Sequence, residues 1–520
     1  MTNQIKNSMW RTSKFGLPLV IIGIYLTLGS LLLPFYRYQI NPDGITYISI
    51  AQKYLRGEFH DAINGHAYPM ISWLLVPLLY VNIEPLLATK ILNLLAGAVV
   101  IINLYLLTAR FSLKAKTALA LLAGAVPVLL HFAFYVITPD MLLTAVMLTY
   151  LLIVFKKDFA ENWTDGILCG LVGGIAYLTK SFFLPFFYCH FPLMCAMRFF
   201  SRKGNGGKKL IIVNALAGIA TCLVVSGLWV STISAKYGHI TASSQGSVVF
   251  SVISPHPHVQ KGLVPPPNKT AISIWEDPSE ALKGIGWNPF ASYADLKYWM
   301  KVIIRNILNN TRFFAVFSPV ALCLCLGFFL SFYRAPQHLK DHTIFVLSCI
   351  TIIIYAGGYS LLLSDERFLW PLFLLYMLMS GYCLDMLAQK SFFVKKADLL
   401  RFILAISFLS IPVKNLYENF NTGKDIFLLS KKVSQHIAPK SKIASDTDWY
   451  RSLFLAYHLG APLYGTADKL TKDELKSELG KYAIDYFLVW GDSTEGARFW
   501  EGHMRVDNAD TGDLRIYRLR

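Results

Sequence analysis

The stretch GLPLVIIGIYLTLGSLLLPFYRYQINPDGITYISIAQKYL, residues 16–55, decides the class of fold to which the chain belongs. It opens with an apolar run of about 20 residues, and a helix of that length crosses the hydrocarbon core of a bilayer. The run is too long for a cleavable signal peptide, and no small-residue cleavage site follows it. The sequence therefore predicts a first membrane span near residues 15–35 that remains as an anchor.

A turn and an amphipathic helix are predicted directly after this span. Residues 41–44, NPDG, are turn formers, and Asp43 is a candidate N-cap of the helix that follows. Apolar residues then recur at helical spacing, at Ile45, Ile48, Ala51 and Leu55. A helix with one apolar face beside a membrane span is expected to lie along the membrane surface.

The composition of the whole chain indicates the same class. Of its 520 residues, 54% are apolar and only 16% are charged, whereas ordinary soluble proteins have about 25% charged residues. A disordered chain is excluded because it would need low hydrophobicity. Further apolar stretches predict a polytopic α-helical membrane protein with about eleven transmembrane helices. They lie near 15–35, 86–108, 117–136, 139–155, 165–181, 182–200, 210–233, 313–333, 343–363, 367–388 and 399–415.

Basic residues predict the orientation of these spans. The chain has 49 Lys and Arg against 32 Asp and Glu, which gives a formal charge of +17. Six short segments hold 19 of these basic residues against 5 acids, and therefore +14 of the +17. Basic loops stay in the cytoplasm, so the charge indicates topology rather than a nucleic-acid partner, and the N-terminus is predicted to be cytoplasmic. The segments are 1–14, 110–116, 156–165, 198–209, 334–341 and 389–401.

Three long segments, 36–85, 235–312 and 416–520, are then predicted to face the outside, periplasm or lumen. Segment 235–312 is rich in Pro and Gly but also in Trp, which favours an ordered loop, with a second interfacial helix at 291–308. Segment 416–520 alternates short strands and helices, which predicts a C-terminal extracytoplasmic α/β domain. The chain is thus divided into a transmembrane domain, 1–415, and this small domain.

Four charged residues stand out because charges beside membrane spans are costly and often functional. Asp43 follows the first span, and Asp140 lies in the outer turn between the third and fourth spans. Lys180 lies in the outer turn between the fifth and sixth spans, and Arg367 begins the tenth. Although they are over 300 residues apart in sequence, all four are expected at one membrane boundary.

Each of these residues also has a purely structural interpretation. Asp43 would then only cap its helix. Asp140 would only stabilise the tight turn in which it follows a proline, a position where Asp is common. Lys180 would extend its ammonium group to the membrane interface, and Arg367 would pair with a neighbouring carboxylate. The motif HPH at 256–258 is a weak metal-binding candidate and is more typical of an exposed loop.

At these positions the layout resembles the GT-C-fold glycosyltransferases, in particular the protein O-mannosyltransferase and lipid A aminoarabinose transferase group. That family opens its first outer loop with an acidic residue, a surface helix and a Tyr–Pro segment before a Trp. Residues similar to the family motifs are Asp43, Tyr47, Tyr68, Pro69 and Trp73 in this loop, Asp140 in TPDMLL, LTKS at 178–181, and RFLWPLF at 367–373. The family also commonly ends in an extracytoplasmic α/β domain.

The resemblance implies transfer of a sugar from a polyprenyl-phosphate donor to an acceptor hydroxyl on the outer face, with inversion. Asp43 would be the general base, and Asp140 would orient the acceptor or share that role. Lys180 and Arg367 would hold the donor phosphate, and Tyr47 and Tyr68 would bind the phosphate or the sugar. The chain departs from its aminoarabinose-transferase relatives at HAYPM, 66–70, because it has no Lys before the proline. Lys180, Arg367 or His66 is expected to supply that phosphate contact instead.

The remaining expectations concern partners and alternatives. The three outer segments have no cysteines and the sequence has no retention signal, which favours a bacterial inner (plasma) membrane. The resemblance implies that the protein binds a polyprenyl-phosphate-linked sugar, with a glycan, a lipid or a protein as acceptor. No metal ligands are predicted, and a divalent metal is compatible with the mechanism without being required. A polytopic transporter or lipid flippase is the main alternative function. Transporters, however, place their polar residues near the membrane midplane. A non-catalytic assembly or receptor protein is a third alternative.

Overall fold

The fold combines a bundle of long helices with a small mixed sheet at the C-terminal end of the chain. The computed structural model describes residues 16–202, 205–255, 262–279, 287–331, 342–467, 470–491, 504–506 and 511–520. The helices are α1 (Gly16–Tyr36), α2 (Pro42–Arg56), α3 (Phe59–Ala62), α4 (Pro69–Tyr80), α5 (Pro85–Arg110), α6 (Ala115–Tyr135), α7 (Asp140–Val154), α8 (Trp163–Thr179), α9 (Phe183–Ser201), α10 (Asn205–Tyr237), α11 (Gln245–Ile253), α12 (Tyr293–Phe317), α13 (Pro319–Ser331), α14 (Thr343–Ser360), α15 (Trp370–Leu387), α16 (Ser391–Val394), α17 (Ala397–Ser407), α18 (Ser410–Glu418), α19 (Lys424–Val433), α20 (Trp449–Leu459) and α21 (Lys472–Tyr482). The strands are β1 (Ile443–Ser445), β2 (Leu463–Thr466), β3 (Tyr486–Trp490), β4 (Met504–Arg505) and β5 (Leu514–Arg518).

Most of the predicted membrane spans are long apolar helices. Among the described residues, eight helices are long and apolar enough to cross a membrane when α17 and α18 are counted as one, and they match eight of the eleven predicted spans. A ninth is formed by α12 and α13 if this pair, bent by 111°, counts as one span. The other two predicted spans are the shorter helices α7, with 15 residues, and α8, with 17. The chain is therefore a polytopic α-helical membrane protein, as predicted.

Basic segments that were predicted to share one side of the membrane contact each other in pairs. Lys116 is 2.6 Å from Asp398, which joins segment 110–116 to segment 389–401. Arg202 is 2.7 Å from Glu161, and Arg198 donates to the carbonyl of Lys156 at 2.6 Å, which joins segment 198–209 to segment 156–165. The alternation of basic loops along the sequence thus corresponds to contacts in the fold.

The C-terminal segment forms the predicted α/β unit. Its described strands build one sheet in the order β2-β1-β3-β5-β4. Strand β1 runs parallel to β2 and β3, and β5 runs antiparallel to β3 and β4. Helices α20 and α21 connect β1 to β2 and β2 to β3, the crossover arrangement that parallel strands require.

Buried apolar residues form four clusters among the described residues, of which two are large. The larger core lies within the helix bundle and includes the buried stack of Phe132 and Trp370, whose ring centroids are 4.1 Å apart. The second core joins the first predicted outer loop to the sheet, with Ile48 of α2 and Leu488 of β3 among its fully buried members. The C-terminal unit therefore packs on α2, the helix that begins with Asp43.

Segment 262–279 fills the space between α2 and the sheet. Glu276 pairs with the fully buried Lys53 of α2, and the Ser49 hydroxyl donates to the same carboxylate at 2.6 Å. On its other side, the carbonyl of Ile272 accepts from the Leu463 amide at 2.7 Å. The three predicted outer segments consequently form one continuous structure.

Candidate active site

A cavity of about 450 Å³ lies at the end of the bundle where α1 ends and α2 begins. We call it the first cavity. Six of the seven predicted site residues line it, namely Asp43, Tyr47, His66, Asp140, Lys180 and Arg367. Most of the remaining wall is apolar and includes Phe182, Leu184, Pro185, Val248, Val249, Val252, Leu362 and Leu363. The cavity thus combines a small charged end with a long apolar wall.

The charged end consists of two carboxylates and two cations that pair with each other. Arg367 Nη1 is 2.8 Å from Asp43 Oδ2, and Lys180 Nζ is 2.5 Å from Asp140 Oδ1. Arg367 Nε also lies 3.9 Å from Asp140 Oδ2, so the two pairs are connected. The side chain of Asp140 is 3% exposed and that of Asp43 is 30% exposed. Of the two carboxylates, Asp43 is therefore the one that a substrate can reach.

Asn41 and Gly44 bring the two carboxylates together. Asn41 is the N-cap of α2, so Asp43 lies within the first turn instead, and its assignment as the N-cap was wrong. The Asn41 amide binds both the N–H and the carbonyl of Ile137, which lies three residues before Asp140. A Cβ atom on Gly44 would lie 2.7 Å from Ile137 Cβ, so only glycine permits this approach. The N-cap position belongs to Asn41, so capping does not explain the presence of an acid at Asp43.

Close helix packing places Lys180, and a capped turn places Arg367. Lys180 follows α8, and a Cβ atom on Gly170 of this helix would lie 2.3 Å from the carbonyl oxygen of Gly218 in α10. Small residues at such positions let membrane helices approach closely. Arg367 lies in a 3-10 turn whose N-cap is Asp365. The Asp365 side chain accepts a hydrogen bond from the backbone amide of Arg367. Asp365 also lies 3.2 Å from Arg367 Nε, so the predicted neighbouring pair exists alongside the pair with Asp43.

The environment of Asp43 sets its proton affinity. Burial raises the pKa of this carboxyl group. The charge of the Arg367 guanidinium and the hydrogen bonds from Arg367 and Trp275 lower the pKa by more than burial raises it, so that it lies below its usual range. Burial lowers the pKa of His66, and attraction to Asp43 and Asp277 offsets this only in part. At neutral pH, Asp43 is therefore ionised and His66 is neutral.

The three remaining predicted residues differ in their placement. Tyr47 lines the first cavity, and burial raises the pKa of its hydroxyl, which stays protonated as a hydrogen-bond donor. His66 lines the cavity too, and its Nδ1 atom is buried with no hydrogen-bond partner among the described residues. Tyr68 lies outside the cavity wall, and its hydroxyl donates to the carbonyl of Ala242 at 2.6 Å. The predicted role of Tyr68 in donor binding stays a prediction.

Sequence reasoning missed two residues that complete the charged end. The indole of Trp275 lies 3.3 Å from Asp43 Oδ1, and the Thr138 hydroxyl donates to Asp140 Oδ2 at 2.9 Å. Thr138 could have been found from its position two residues before Asp140. Trp275 lies in a Pro-rich loop without periodicity, so its position in the sequence indicated no partner.

No metal site is evident in the part of the chain that the structure describes. Within it, no group of three or more His, Cys, Asp or Glu side chains is close enough to hold an ion. His256 and His258 of the HPH motif lie outside the described residues.

The arrangement defines a class of protein, a multi-pass membrane protein with the GT-C fold and a charged centre at one end of its helix bundle. The solved structures similar to it include two of ArnT from Cupriavidus metallidurans. The one bound to undecaprenyl phosphate is 14% identical with a TM-score of 0.56, covering 97% of this chain and 98% of that one. The one in the apo state is 12% identical with the same TM-score, covering 96% and 97%. No protein-family model and no curated protein sequence matches the chain. At this identity the similarity establishes the fold.

Proposed function

We propose that the protein is an integral-membrane glycosyltransferase that moves a sugar from a polyprenyl-phosphate donor to an acceptor hydroxyl. The observation that carries the proposal is the convergence of Lys180, Arg367 and the accessible carboxylate Asp43 at the end of an apolar cavity. Such a cavity suits a molecule with a long hydrocarbon chain, one anionic group and a reactive centre beside it. The similarity to ArnT bound to undecaprenyl phosphate supports the same choice.

The donor is placed by its two chemically distinct ends. Its phosphate lies between Lys180 and Arg367, where the guanidinium offers a bidentate fork and the ammonium a point charge. Its prenyl chain follows the apolar wall toward Val252 of α11, whose side chain is 56% exposed. The sugar then lies beside Asp43, with Tyr47 and the neutral ring of His66 as hydrogen-bonding partners.

The reaction is a single displacement at the anomeric carbon. The Asp43 carboxylate removes the proton of the acceptor hydroxyl, whose oxygen forms the new bond to the anomeric carbon. The bond from that carbon to the phosphate oxygen breaks, and its electron pair leaves with the lipid phosphate. Lys180 and Arg367 stabilise the charge that develops on the phosphate. Attack opposite the leaving group inverts the configuration.

Donor binding activates the base in this mechanism. Without donor, Arg367 is paired with Asp43 and holds the pKa of that carboxyl group low, which makes it a weak base. A donor phosphate competes for the guanidinium and places a second negative charge nearby. Both effects raise the pKa of Asp43 and strengthen it as a base. The free protein thus holds its base in a weakly basic state until a donor is bound.

The pH dependence of transfer tests this coupling. kcat/KM for the donor reports the free enzyme, in which the pKa of Asp43 is depressed by Arg367, so its acid limb is expected at a pH below the usual range of an aspartate. kcat reports the donor complex, in which the pKa is higher, so its acid limb is expected at a higher pH. Steady-state rates with a polyprenyl-phosphate sugar measure both limbs. Coincident acid limbs would contradict activation by the donor.

Binding of undecaprenyl phosphate tests the proposed function without knowledge of the sugar. The lipid is expected to stabilise the purified protein against thermal unfolding, by about 2.7 kcal/mol at one hundred times Kd. Undecaprenol, which lacks the phosphate, is expected to give almost no stabilisation. Replacement of Lys180 with Gln is expected to weaken the phosphate effect, because the buried ammonium is one of its two proposed ligands.

Two controls separate this function from its alternatives. The Arg56→Gln variant removes an exposed arginine of α2 that pairs with Glu58, and it should retain the phosphate effect. Equal stabilisation by undecaprenol would show that the cavity binds only the prenyl chain and would contradict the proposed site. Uptake of the labelled lipid sugar into proteoliposomes without a glycosylated product would favour the transporter or flippase.

The orientation and the domain division belong to the same proposal. The protein lies in a bacterial inner membrane with its N-terminus on the cytoplasmic side. The charged centre and the C-terminal α/β domain, 416–520, lie on the periplasmic side. The contacts between basic segments support this assignment, because each joins two segments that are predicted to lie on the cytoplasmic side. The mechanism routes no step through a metal, since Lys180 and Arg367 supply the positive charge.

A further inference from the structure

A second cavity of about 660 Å³ lies directly beside the first. The two cavities share three wall residues, Asp43, Trp275 and Arg367. The proposed base and one phosphate ligand therefore face both spaces. The second cavity extends from this shared wall toward the C-terminal α/β unit, whose residues Trp449, Tyr450 and Tyr464 line its far side.

The two cavities differ in chemistry. The second has an aromatic lining, made of Tyr135, Trp275, Trp449, Tyr450 and Tyr464. Its charged lining residues, among those the structure describes, are Asp43, Asp365 and Arg367. Arg367 already contacts both of these carboxylates, at 2.8 Å and 3.2 Å. Among the described lining residues, the second cavity thus has two carboxylates against one cation, whereas the first has two of each, so an anionic group is disfavoured in the second. Its aromatic faces and carboxylate oxygens suit a neutral ligand rich in hydroxyl groups.

The aromatic lining is held by the fold and partly open to solvent. Trp275 and Trp449 pack edge to face with centroids 6.2 Å apart, and Trp449 meets Tyr450 in the same way at 5.1 Å. The backbone of segment 262–279 is tied to the sheet by the bond from the Val264 amide to the Tyr464 carbonyl, at 2.7 Å. The side chain of Tyr450 is 60% exposed, so a ligand can reach it from the aqueous side.

We infer that the second cavity is the acceptor site and that the acceptor group is a neutral sugar, bound by the aromatic side chains of the C-terminal unit. This inference rests on the proposed glycosyl transfer and adds the class of the acceptor. It assigns a binding role to the small α/β unit. Sugar rings place their apolar faces on aromatic rings and donate their hydroxyls to carboxylates such as Asp365, which is 39% exposed.

The shared wall gives the displacement its geometry. An inverting displacement needs the nucleophile and the leaving group on opposite sides of the anomeric carbon. A donor in the first cavity places its phosphate at Lys180, and an acceptor in the second cavity approaches from the side of Trp275. Asp43 borders both cavities, so the acceptor proton passes to its carboxylate while the new oxygen–carbon bond forms and the bond to phosphate breaks.

Kinetics with fractionated acceptors test the inference on the full-length protein. The donors are polyprenyl-phosphate sugars extracted from host cells grown on radioactive glucose. The acceptors are three unlabelled membrane fractions, one of neutral glycans free or lipid-linked, one of phosphate-bearing glycolipids and one of proteins. Label is expected in the neutral glycans or on the sugar chains of glycoproteins. Release by glycosidases distinguishes label on these sugar chains from label attached directly to the polypeptide. The Tyr450→Ala variant is expected to raise KM for the acceptor about tenfold, with kcat and undecaprenyl phosphate binding unchanged.

The outcomes separate failure of this inference from failure of the proposed function. Label on phosphate-bearing glycolipids or directly on polypeptide would overturn the assignment of a neutral sugar. An unchanged acceptor KM in Tyr450→Ala would overturn the assignment of the cavity. The control is Tyr417→Ala, at an exposed tyrosine outside both cavities, and an equal rise of the acceptor KM in this control would overturn the assignment too. Transfer to no fraction, with phosphate-dependent stabilisation retained, would also overturn it. Loss of that stabilisation as well would contradict the proposed function itself.

Discussion

The Asp43→Asn variant is expected to transfer sugar about 10²- to 10⁴-fold more slowly than the wild type, the range typical of losing a general base. Asparagine has nearly the same shape and can still accept hydrogen bonds from Trp275 and Arg367, which now lie 3.3 Å and 2.8 Å from the carboxylate. It cannot take up the acceptor proton. The measurement is single-turnover transfer from a radiolabelled polyprenyl-phosphate sugar.

Donor binding distinguishes a lost base from a damaged site in this variant. Asp43→Asn removes a negative charge beside the proposed phosphate position and leaves Arg367 free to bind it. Stabilisation by undecaprenyl phosphate is therefore expected to equal or exceed that of the wild type. The matched control is Asp61→Asn, which removes an exposed carboxylate from the same loop and should leave transfer unchanged. Normal transfer by Asp43→Asn would refute its role as the base.

The second large effect is expected at Arg367. Replacement with Gln should lower kcat by about 10²- to 10³-fold, since removal of one group that stabilises a transition-state charge has that effect. It should also weaken donor binding, because Asp43 and Asp140 would then face the phosphate with Lys180 as the one remaining cation among the described lining residues. Replacement with Lys keeps the charge but loses the bidentate fork, so its activity should be intermediate.

Stability measurements guard against a trivial explanation for Arg367→Gln. Arg367 contacts three carboxylates, those of Asp43, Asp140 and Asp365, and its loss leaves them partly uncompensated. The thermal unfolding of Arg367→Lys should match that of the wild type, so that its intermediate activity reports on chemistry alone. Wild-type kcat in Arg367→Lys together with wild-type kcat in Arg367→Gln would rule out a role for this residue in catalysis.

Local properties of the sequence predicted much of the fold. The length of each apolar run predicted a membrane helix, and strand and helix patterns after residue 416 predicted the elements of the α/β unit. For segment 235–312 the sequence predicted an ordered loop but not the partners of that loop. Its residues 262–279 join α2 to the sheet through Glu276 and Ile272. A Pro-rich segment without periodicity carries no local signal for such partners.

The sequence by itself determined the class of this protein, its membrane spans and the position of its charged residues at span ends. Apolar length and loop charge are properties of short segments, and the bilayer acts on each segment separately. Only the tertiary structure decided that Arg367 pairs with Asp43, 324 residues away, and that Trp275 stands between two cavities. Contacts of this kind depend on how whole helices pack, which residue spacing in one segment does not encode.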